Sequence, residues 1–490
     1  MSRLKKLYNW FEMRLQLEEP VKDAILHPVP RSTASWWYVF GSAAMTLLML
    51  QIVTGILLAL IYVPSASEAW KTLDQLNHQI YLGWFLRAMH GWGSNFMVAV
   101  VLIHMAQVFM FGAYKFPREL TWILGVFLLL MTLGMAFTGQ VLRFDQDAYW
   151  GLGIGASIAS RVPLIGGPLV HLMLGGPIIG GATLSRFFAL HVFVIPGTML
   201  LFVALHVWMV LKLGINDWPM PGRVVRRSTY MQEYHELAHK DGVPFVPDAF
   251  WKDLFFSGAI LAAVAVCAFV FGPYGPGGQP DPTIIQTAPK PDFFFLWIYA
   301  VLSYLPPSLE TPFILIVPII GICLLLALPL VAGEGEKSWH RRPVAVLVLV
   351  MVAVSWAVFT HLATFTPWSP VMDAWSGYPL PTKLVHSATP LERQGAVVFQ
   401  AKQCRNCHAI GGTGGQRGPA LDTVATRLTG DQLIRQVIQG GGNMPAYGKN
   451  LSPPEVTALV RFLKTLKPAG QPAATDASRQ QQAQEAAPQP

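Results

Sequence analysis

Charged residues are scarce in this sequence. Asp, Glu, Lys and Arg make up 13% of the 490 residues, whereas hydrophobic residues make up 53%. A water-soluble domain carries about 25% charged residues, so the composition excludes a soluble globular protein of this size. Several apolar runs reach about 20 residues, the length of a membrane-spanning helix. Most of the chain is therefore predicted to lie in a membrane.

Cysteine is also rare, and only one pair forms a pattern. Cys267 and Cys323 stand alone within apolar runs, where a free thiol behaves as a small hydrophobe. Cys404 and Cys407 lie in the sequence CRNCH. The first 34 residues lack the short apolar core and small-residue cleavage site of a signal peptide. We therefore expect no removable leader, and insertion through the first spanning helix.

Seven spans account for the apolar runs, and the distribution of basic residues orients them. Roughly 17 Lys and Arg residues fall on the side of the N-terminus and roughly 5 on the other side, which predicts a cytoplasmic N-terminus. This bias also explains the net charge of +8 without a nucleic-acid partner. Because seven is odd, everything after the last span is expected outside. The predicted spans are residues 35–62, 84–111, 121–141, 187–213, 252–272, 312–331 and 343–362.

Two of these spans carry a histidine near each end. His90 and His104 are 14 residues apart, which places both rings on one helix face about 21 Å apart. His191 and His206 are 15 residues apart, a rise of about 22 Å with a net rotation of about 60°. A single histidine in a membrane is often a hydrogen-bonded core residue. Four at paired depths fit two bis-histidine haem sites, His90 with His191 and His104 with His206.

Glycines on two other spans repeat the same spacing. Gly41 and Gly55 are 14 residues apart on the first span, and so are Gly125 and Gly139 on the third. A glycine lets a flat macrocycle approach the backbone, although small residues also serve ordinary helix packing in membranes. From the helix directions, we expect Gly41 and Gly125 at the depth of His104.

The sequence CRNCH is the attachment pattern of a c-type haem. The thiols of Cys404 and Cys407 bond the vinyl groups and His408 binds the iron. A zinc site would need a second Cys or His pair, and none follows. Met444, in GGGNMPAYG, is the expected sixth ligand. The loop resembles that of small soluble class I cytochromes c, with helices expected near 390–402 and 453–466.

The spanning region resembles cytochrome b of the quinol-oxidising cytochrome bc and bf complexes. The resemblance covers about residues 30–362 and rests on the His and Gly spacings and on PRELTW (117–122), TGQVLRFDQDAYWG (138–151) and SRFFALH ending at His191. The spacings of 14 and 15 residues between the paired histidines are similar to those in the bf branch. That branch attaches a further haem through a cysteine at the position of Val39, so we expect no covalent haem in the membrane.

The resemblance also implies a quinol-oxidation site near the outer haem pair. The motif residues are Pro291, Asp292, Phe293 and Phe294, with Asp292 as the carboxylate that accepts a proton. Asp292 replaces a Glu and Phe294 a Tyr of the family motif. Capping of the following helix is an alternative role for Asp292, and the aromatic residues fit packing or an interfacial belt.

Three residues are candidates for an inner quinone site. Arg31, Lys212 and Asp217 lie near the inner ends of the first and fourth spans. Anchoring to the cytoplasmic surface explains these residues equally well.

The expected fold is all-α, a seven-span bundle followed by a small helical cytochrome c domain. The expected segments are a cytoplasmic N-terminus (1–34), a di-haem four-helix core (35–213), a second membrane portion (214–362), a linker (363–387), the cytochrome c domain (388–467) and a disordered tail (468–490).

The predicted function is that of a fused cytochrome b and c subunit in a bacterial inner-membrane quinol:cytochrome c reductase. It would hold two non-covalent haem b groups and one haem c, with quinol as substrate. Expected partners are a separate Rieske iron–sulfur protein, an external cytochrome or terminal oxidase, and a second copy of the chain. The alternative is a haem wire that docks another redox enzyme and oxidises no quinol.

Overall fold

The fold is predominantly helical, as predicted. This computed structural model describes residues 3–16, 19, 28–176, 179–281, 289–365, 378–385, 388–414, 418–440, 444, 446–448 and 450–475. Most of the predicted linker, 366–377, and the tail from 476 onward lie outside the described residues.

Eighteen α-helices are seen in the described part of the chain. They are α1 Arg3–Leu15, α2 Phe40–Ala59, α3 Ala69–His78, α4 Gly83–Met110, α5 Glu119–Leu142, α6 Gln146–Ser160, α7 Gly166–Leu174, α8 Gly181–Ala189, α9 Ile195–Leu213, α10 Tyr230–Asp241, α11 Phe250–Phe271, α12 Phe293–Tyr304, α13 Pro307–Val331, α14 Pro343–Phe365, α15 Pro390–Ala401, α16 Val424–Arg427, α17 Gly430–Gln439 and α18 Pro453–Leu463.

Seven helices among the described residues are long and apolar enough to cross a membrane, and they correspond to the predicted spans. Two of them are compound. α8, a π turn over Leu190–Val194 and α9 run continuously from Gly181 to Leu213, and a second π turn precedes α11 in the span Phe245–Phe271. The apolar α12 is too short to span, as expected for a short helix at the membrane surface.

Short antiparallel strand pairs tie the connections together. β1 (Pro28–Pro30) pairs with β3 (Gly242–Pro244), and β2 (Val224–Val225) pairs with β4 (Gly335–Glu336). The pairs join the N-terminal segment, the α9–α11 connection and the α13–α14 connection. These three segments therefore lie on one side of the bundle, as an alternating series of seven spans requires.

The chain divides into two compact units. The first contains Met1–Ala148, Leu184–Gly277 and Pro307–His361, and the second contains Tyr149–Thr183, Gly278–Pro306 and Leu362–Pro490. The first unit holds most of the spanning helices. Its interior includes an apolar cluster of Ala43, Leu47, Met97, Val100, Met199 and Val264.

The C-terminal helices pack into a core of their own. α15 and α18 cross where Gly395 faces the backbone of Ala458, and Phe399 meets Phe462 at 5.7 Å between ring centroids. Capping boxes begin α15, α17 and α18. Their side chains accept hydrogen bonds from backbone N–H groups that have no partner within the first turn of a helix. The hairpin of β5 (Ala409–Ile410) and β6 (Thr413–Gly414) follows CRNCH.

Part of the predicted linker belongs to this C-terminal core. Leu380, Leu384 and Val385 pack against its buried residues. The buried Arg405 guanidinium donates hydrogen bonds of 2.8 Å to the carbonyls of Tyr378 and Pro379. Residues 378–385 therefore pack as part of the compact C-terminal segment.

Candidate functional site

The four histidines of the spanning helices form two pairs. His90 on α4 faces His191 in the π turn between α8 and α9, with ring centroids 6.3 Å apart and planes at 77°. His104 on α4 lies near His206 on α9. We call these pairs, with their neighbouring glycines, the His90 site and the His104 site.

The π turn explains the unequal histidine spacings on the two helices. The amide of Ile195 donates to the carbonyl of Leu190, five residues earlier, whereas the hydrogen bonds of an α-helix join residues four apart. The turn therefore takes up one extra residue, and the 15-residue spacing on this helix matches the 14-residue spacing on α4. Pro196, which has no amide hydrogen to donate, is the second residue of α9, the regular helix that follows.

A glycine lies against each of the four imidazole rings. A Cβ atom added to Gly55 would lie 3.3 Å from Cε1 of His90, and one added to Gly139 only 2.7 Å from Cε1 of His191. In the His104 site, the corresponding Cβ distances to Cε1 are 3.5 Å from Gly41 to His104 and 3.6 Å from Gly125 to His206. α2 thus supplies glycines to the histidines of α4, and α5 supplies glycines to those of the fourth span.

Hydrogen bonds to Nδ1 distinguish the two sites. Thr54 Oγ1 lies 2.8 Å from Nδ1 of His90, and Thr138 Oγ1 lies 3.0 Å from Nδ1 of His191. In the described part of the chain, no side-chain group lies within hydrogen-bond distance of Nδ1 of His104 or of His206. The threonines were not predicted from the sequence, although each directly precedes a glycine of the predicted set.

The two sites suit a flat metal macrocycle. Each has two facing side chains of a type that can ligate iron, and a glycine beside each ring that leaves room where a Cβ would intrude. Between the sites lies the apolar cluster, in which Met97 is seven residues from both His90 and His104. Haem b therefore fits the donor set and the walls of both sites.

The loop with the predicted quinol motif is anchored at its base. Lys290 Nζ donates 3.0 Å hydrogen bonds to the carbonyls of Ala363 and Thr364 at the end of α14. Asp292 occupies the position before the first residue of α12, but its carboxylate makes no capping hydrogen bond to that helix. Phe294 is buried and packs against the neighbouring rings. The capping alternative for Asp292 has no support in this geometry.

The three inner-site candidates have different surroundings. Arg31 and Lys212 are exposed, whereas Asp217 is buried and bonded to Arg223, Tyr230 and Lys337. Burial by itself would raise the pKa of Asp217, but the charge of Lys337 and the hydrogen bonds from Lys337 and Tyr230 lower it to about 2. Asp217 is thus a structural ion-pair partner rather than an available acid.

A different carboxylate lies next to a residue that neighbours the His104 site. Asp253, in the first turn of α11, lies beside Ser42, and Ser42 directly follows Gly41. An ionisable residue within a predicted span is by default a functional candidate. Asp253 falls within the predicted span 252–272, so this signal was present in the sequence.

The C-terminal segment brings its predicted ligands close to one core. Nδ1 of His408 donates to the carbonyl of Pro419 at 2.8 Å, which leaves Nε2 as the nitrogen with a lone pair. Met444 packs against the core and its sulfur accepts a 3.5 Å hydrogen bond from Nε2 of Gln436. Cys404 also packs on this core, and Cys407 lies in the same short segment. These residues fit a covalent haem, which the two cysteines would hold and to which Nε2 of His408 could supply a ligand.

Family models match both parts of the chain. Residues 25–214 match the family described as Cytochrome b/b6/petB, and residues 390–463 match the one described as Cytochrome C oxidase, cbb3-type, subunit III. The two parts therefore imply haem b and haem c, respectively. The chain also resembles a solved structure of a hyperthermophilic respiratory complex III, with a TM-score of 0.61 over 81% of this chain and 96% of that one. At 24% identity, this likeness bears on the fold alone.

Curated relatives cover different shares of the chain. Cytochrome b of Rhodobacter capsulatus is 35% identical over 60% of this chain, which spans 66% of that protein. Cytochrome b/c1 of Bradyrhizobium diazoefficiens is 33% identical over 69% of this chain and 47% of that protein. The menaquinol:cytochrome c reductase cytochrome b subunit of Geobacillus thermodenitrificans is 36% identical over 44% of this chain and 98% of that protein. The chain belongs to the cytochrome b/b6 family and continues into a C-terminal cytochrome c domain.

Proposed function

We propose that this chain is the electron-transfer subunit of a membrane quinol:cytochrome c oxidoreductase. The observation that carries the proposal is the pair of His sites, each with two imidazoles and two glycines, within one bundle of spanning helices. Two stacked bis-histidine sites suit electron transfer through a membrane. The name of the Geobacillus relative, a menaquinol:cytochrome c reductase subunit, supports this reaction class.

His90 with His191, and His104 with His206, would each hold one non-covalent haem b, which supplies one-electron redox chemistry when bound. The four glycines leave space beside the rings, and the apolar cluster around Leu47 and Met97 excludes water between the sites. We place the His90 site toward the outer face and the His104 site toward the cytoplasm. Asp253 would serve a quinone at the inner site.

Asp292 would accept a proton during quinol oxidation. Oxidation of a quinol to a quinone releases two electrons and two protons, so a carboxylate at the site has a direct role as base. Lys290 holds the preceding backbone through its bonds to the end of α14. Pro291, Phe293 and Phe294 would shape the pocket wall.

The cytochrome c domain would deliver electrons outside the membrane. Cys404 and Cys407 would hold the haem covalently, and His408 and Met444 would bind its iron. We propose that this domain begins near residue 378, since residues 378–385 pack with it. The proposal includes a bacterial inner-membrane location, a cytoplasmic N-terminus, a separate Rieske iron–sulfur partner, an external cytochrome or oxidase as acceptor, and a homodimer.

Haem counting combined with a redox titration of the purified membrane complex tests this function. We expect two haem b groups of different potential and one haem c per chain, together with quinol-dependent reduction of a soluble cytochrome by the complex. Two haem b groups without any quinol oxidation would instead support the haem wire. One haem b per chain would contradict the pairing of the histidines.

A further inference from the structure

Each imidazole of the His90 site has a threonine hydroxyl on its Nδ1. The two threonines come from different helices, Thr54 from α2 and Thr138 from α5, and are 36 and 53 residues away from their histidines along the chain. Each lies directly before the glycine that packs on the same ring. The Thr-Gly dipeptide thus provides both the space beside the ring and a polar contact.

The direction of these hydrogen bonds follows from the other contacts of the hydroxyls. Thr54 Oγ1 lies 2.6 Å from the carbonyl of Leu50, and Thr138 Oγ1 lies 2.8 Å from the carbonyl of Gly134. A carbonyl only accepts, so the single hydroxyl hydrogen points to it. The hydroxyl oxygen must then accept from Nδ1–H of the histidine. Both rings are held as the tautomer whose Nε2 carries the lone pair for iron.

The His104 site lacks this arrangement. The residues before Gly41 and Gly125 are Phe40 and Leu124, which have no hydroxyl. Among the described residues, no side-chain group lies within hydrogen-bond distance of Nδ1 of His104 or of His206. A backbone group of Thr121 bonds to the His206 ring, as one of Met135 does to the His191 ring, so the threonine hydroxyls are what the His90 site has in addition. The two sites therefore share histidines and glycines but differ in what polarises the imidazoles.

We propose that Thr54 and Thr138 are positioning residues that lower the reduction potential at the His90 site relative to the His104 site. The inference rests on the haem ligands of the proposed function. An acceptor on Nδ1–H makes an imidazole a more basic ligand. A stronger donor stabilises ferric over ferrous iron, and such hydrogen bonds are among the means by which a protein sets a haem potential.

This difference gives electron transfer a direction. With a haem b bound at each site, the lower-potential His90 site would give up one electron and be oxidised, and the higher-potential His104 site would be reduced by it. No bond is formed or broken, and the Nδ1 protons stay in place. Electrons that enter at the His90 site would thereby be favoured to move to the His104 site.

Redox titration of full-length threonine variants tests the inference. Thr54→Val and Thr138→Val retain side-chain shape but remove the acceptor, so we expect each to raise the lower of the two haem b potentials, with a larger rise in the double variant. The higher potential should not move. Thr54→Ser keeps the hydroxyl and should stay close to the unsubstituted protein. Electron paramagnetic resonance of the oxidised complex provides a second readout, because ligand basicity changes the ferric signal.

Matched controls are available on the same two helices. Thr46 on α2 and Thr132 on α5 also bond to carbonyls four residues earlier, at 3.0 and 2.8 Å, but neither bonds to a histidine. Thr46→Val and Thr132→Val should leave both potentials unchanged. Unchanged potentials in the Thr54 and Thr138 variants, or equal shifts at both haems, would overturn the inference. If the unsubstituted chain itself binds fewer than two haem b groups, the haem assignment fails instead.

Discussion

Gly139 lies so close to His191 that a single added carbon would displace the ring. The Cβ position at Gly139 is 2.7 Å from Cε1 of His191 and 3.3 Å from its Nε2, whereas real Cβ contacts lie well beyond 3 Å. The third span thus constrains a side chain 52 residues further along the chain. This contact makes the glycine pattern directly testable.

Gly139→Ala should displace His191 and reduce haem binding at the His90 site. Overpacking a well-packed interior costs about 1–3 kcal/mol, and here the strain falls on a proposed haem ligand. Haem content and the redox titration of the purified protein measure the effect. Gly134→Ala on the same helix is the control, because its Cβ would meet Ile195 only at 3.9 Å. Full haem content in the Gly139 variant would show that the ring can move aside freely.

Asp292→Asn should abolish most quinol oxidation while leaving all haems bound. A positioned base contributes roughly 10²–10⁴-fold to a rate, and the amide cannot accept the proton. Asp292→Glu should recover part of the activity. The rate of steady-state quinol:cytochrome c reduction is measured for each variant, and a haem spectrum of each checks that the haems are bound. Asp281→Asn, in the same connection, is the control and should leave the rate unchanged. Unimpaired oxidation by the Asn variant would remove Asp292 from the mechanism.

Met444→Ala should lower the potential of the haem c without releasing it. Thioether ligation raises a haem potential, whereas Cys404 and Cys407 would still hold the group covalently. A redox titration followed at the haem c absorption band, together with loss of the weak long-wavelength band of ferric His–Met haem, measures the change. An unaltered potential would show that another residue supplies the sixth ligand. The two haem b potentials serve as internal controls.

Asp217→Asn should destabilise the connections on the β1–β4 side of the bundle. Asp217 and Lys337 are 3% and 1% exposed, and removing one partner of such a pair costs about 3–5 kcal/mol because a charge stays buried. The double variant Asp217→Asn with Lys337→Met should recover part of the loss. Thermal unfolding in detergent compares the variants. Asp74→Asn, at an exposed pair with His78, should have little effect.

The ionised Asp217 carboxylate should also make the free energy of unfolding fall in acid. The pKa of Asp217 falls from 3.8 to about 2 on folding, so its contribution, about 2 kcal/mol, is complete above pH 3.8 and is lost as the pH falls toward 2. The unfolding midpoint of the unsubstituted protein should drop across this range. The midpoint of the Asp217→Asn variant should drop less, and parallel curves would contradict the assignment.

The seven spans and the family were predictable from the sequence because they depend on local properties. Membrane crossing requires about 20 apolar residues in a row, and a helical repeat of 3.6 residues converts the spacings of His90, His104 and the glycines into shared faces. CRNCH is likewise a contiguous pattern with its own chemistry. These features are independent of how the rest of the chain folds.

Only the tertiary structure revealed the partners that distinguish one site from the other. Thr54 contacts His90 from another helix, and Asp217 meets Lys337 across 120 residues of chain, so no local periodicity indicates either contact. The π turn at His191 likewise appears only once the backbone is folded. Histidine and glycine spacing placed the two sites, but the hydroxyls beside their rings depend on which helices pack together, and packing is a property of the whole bundle.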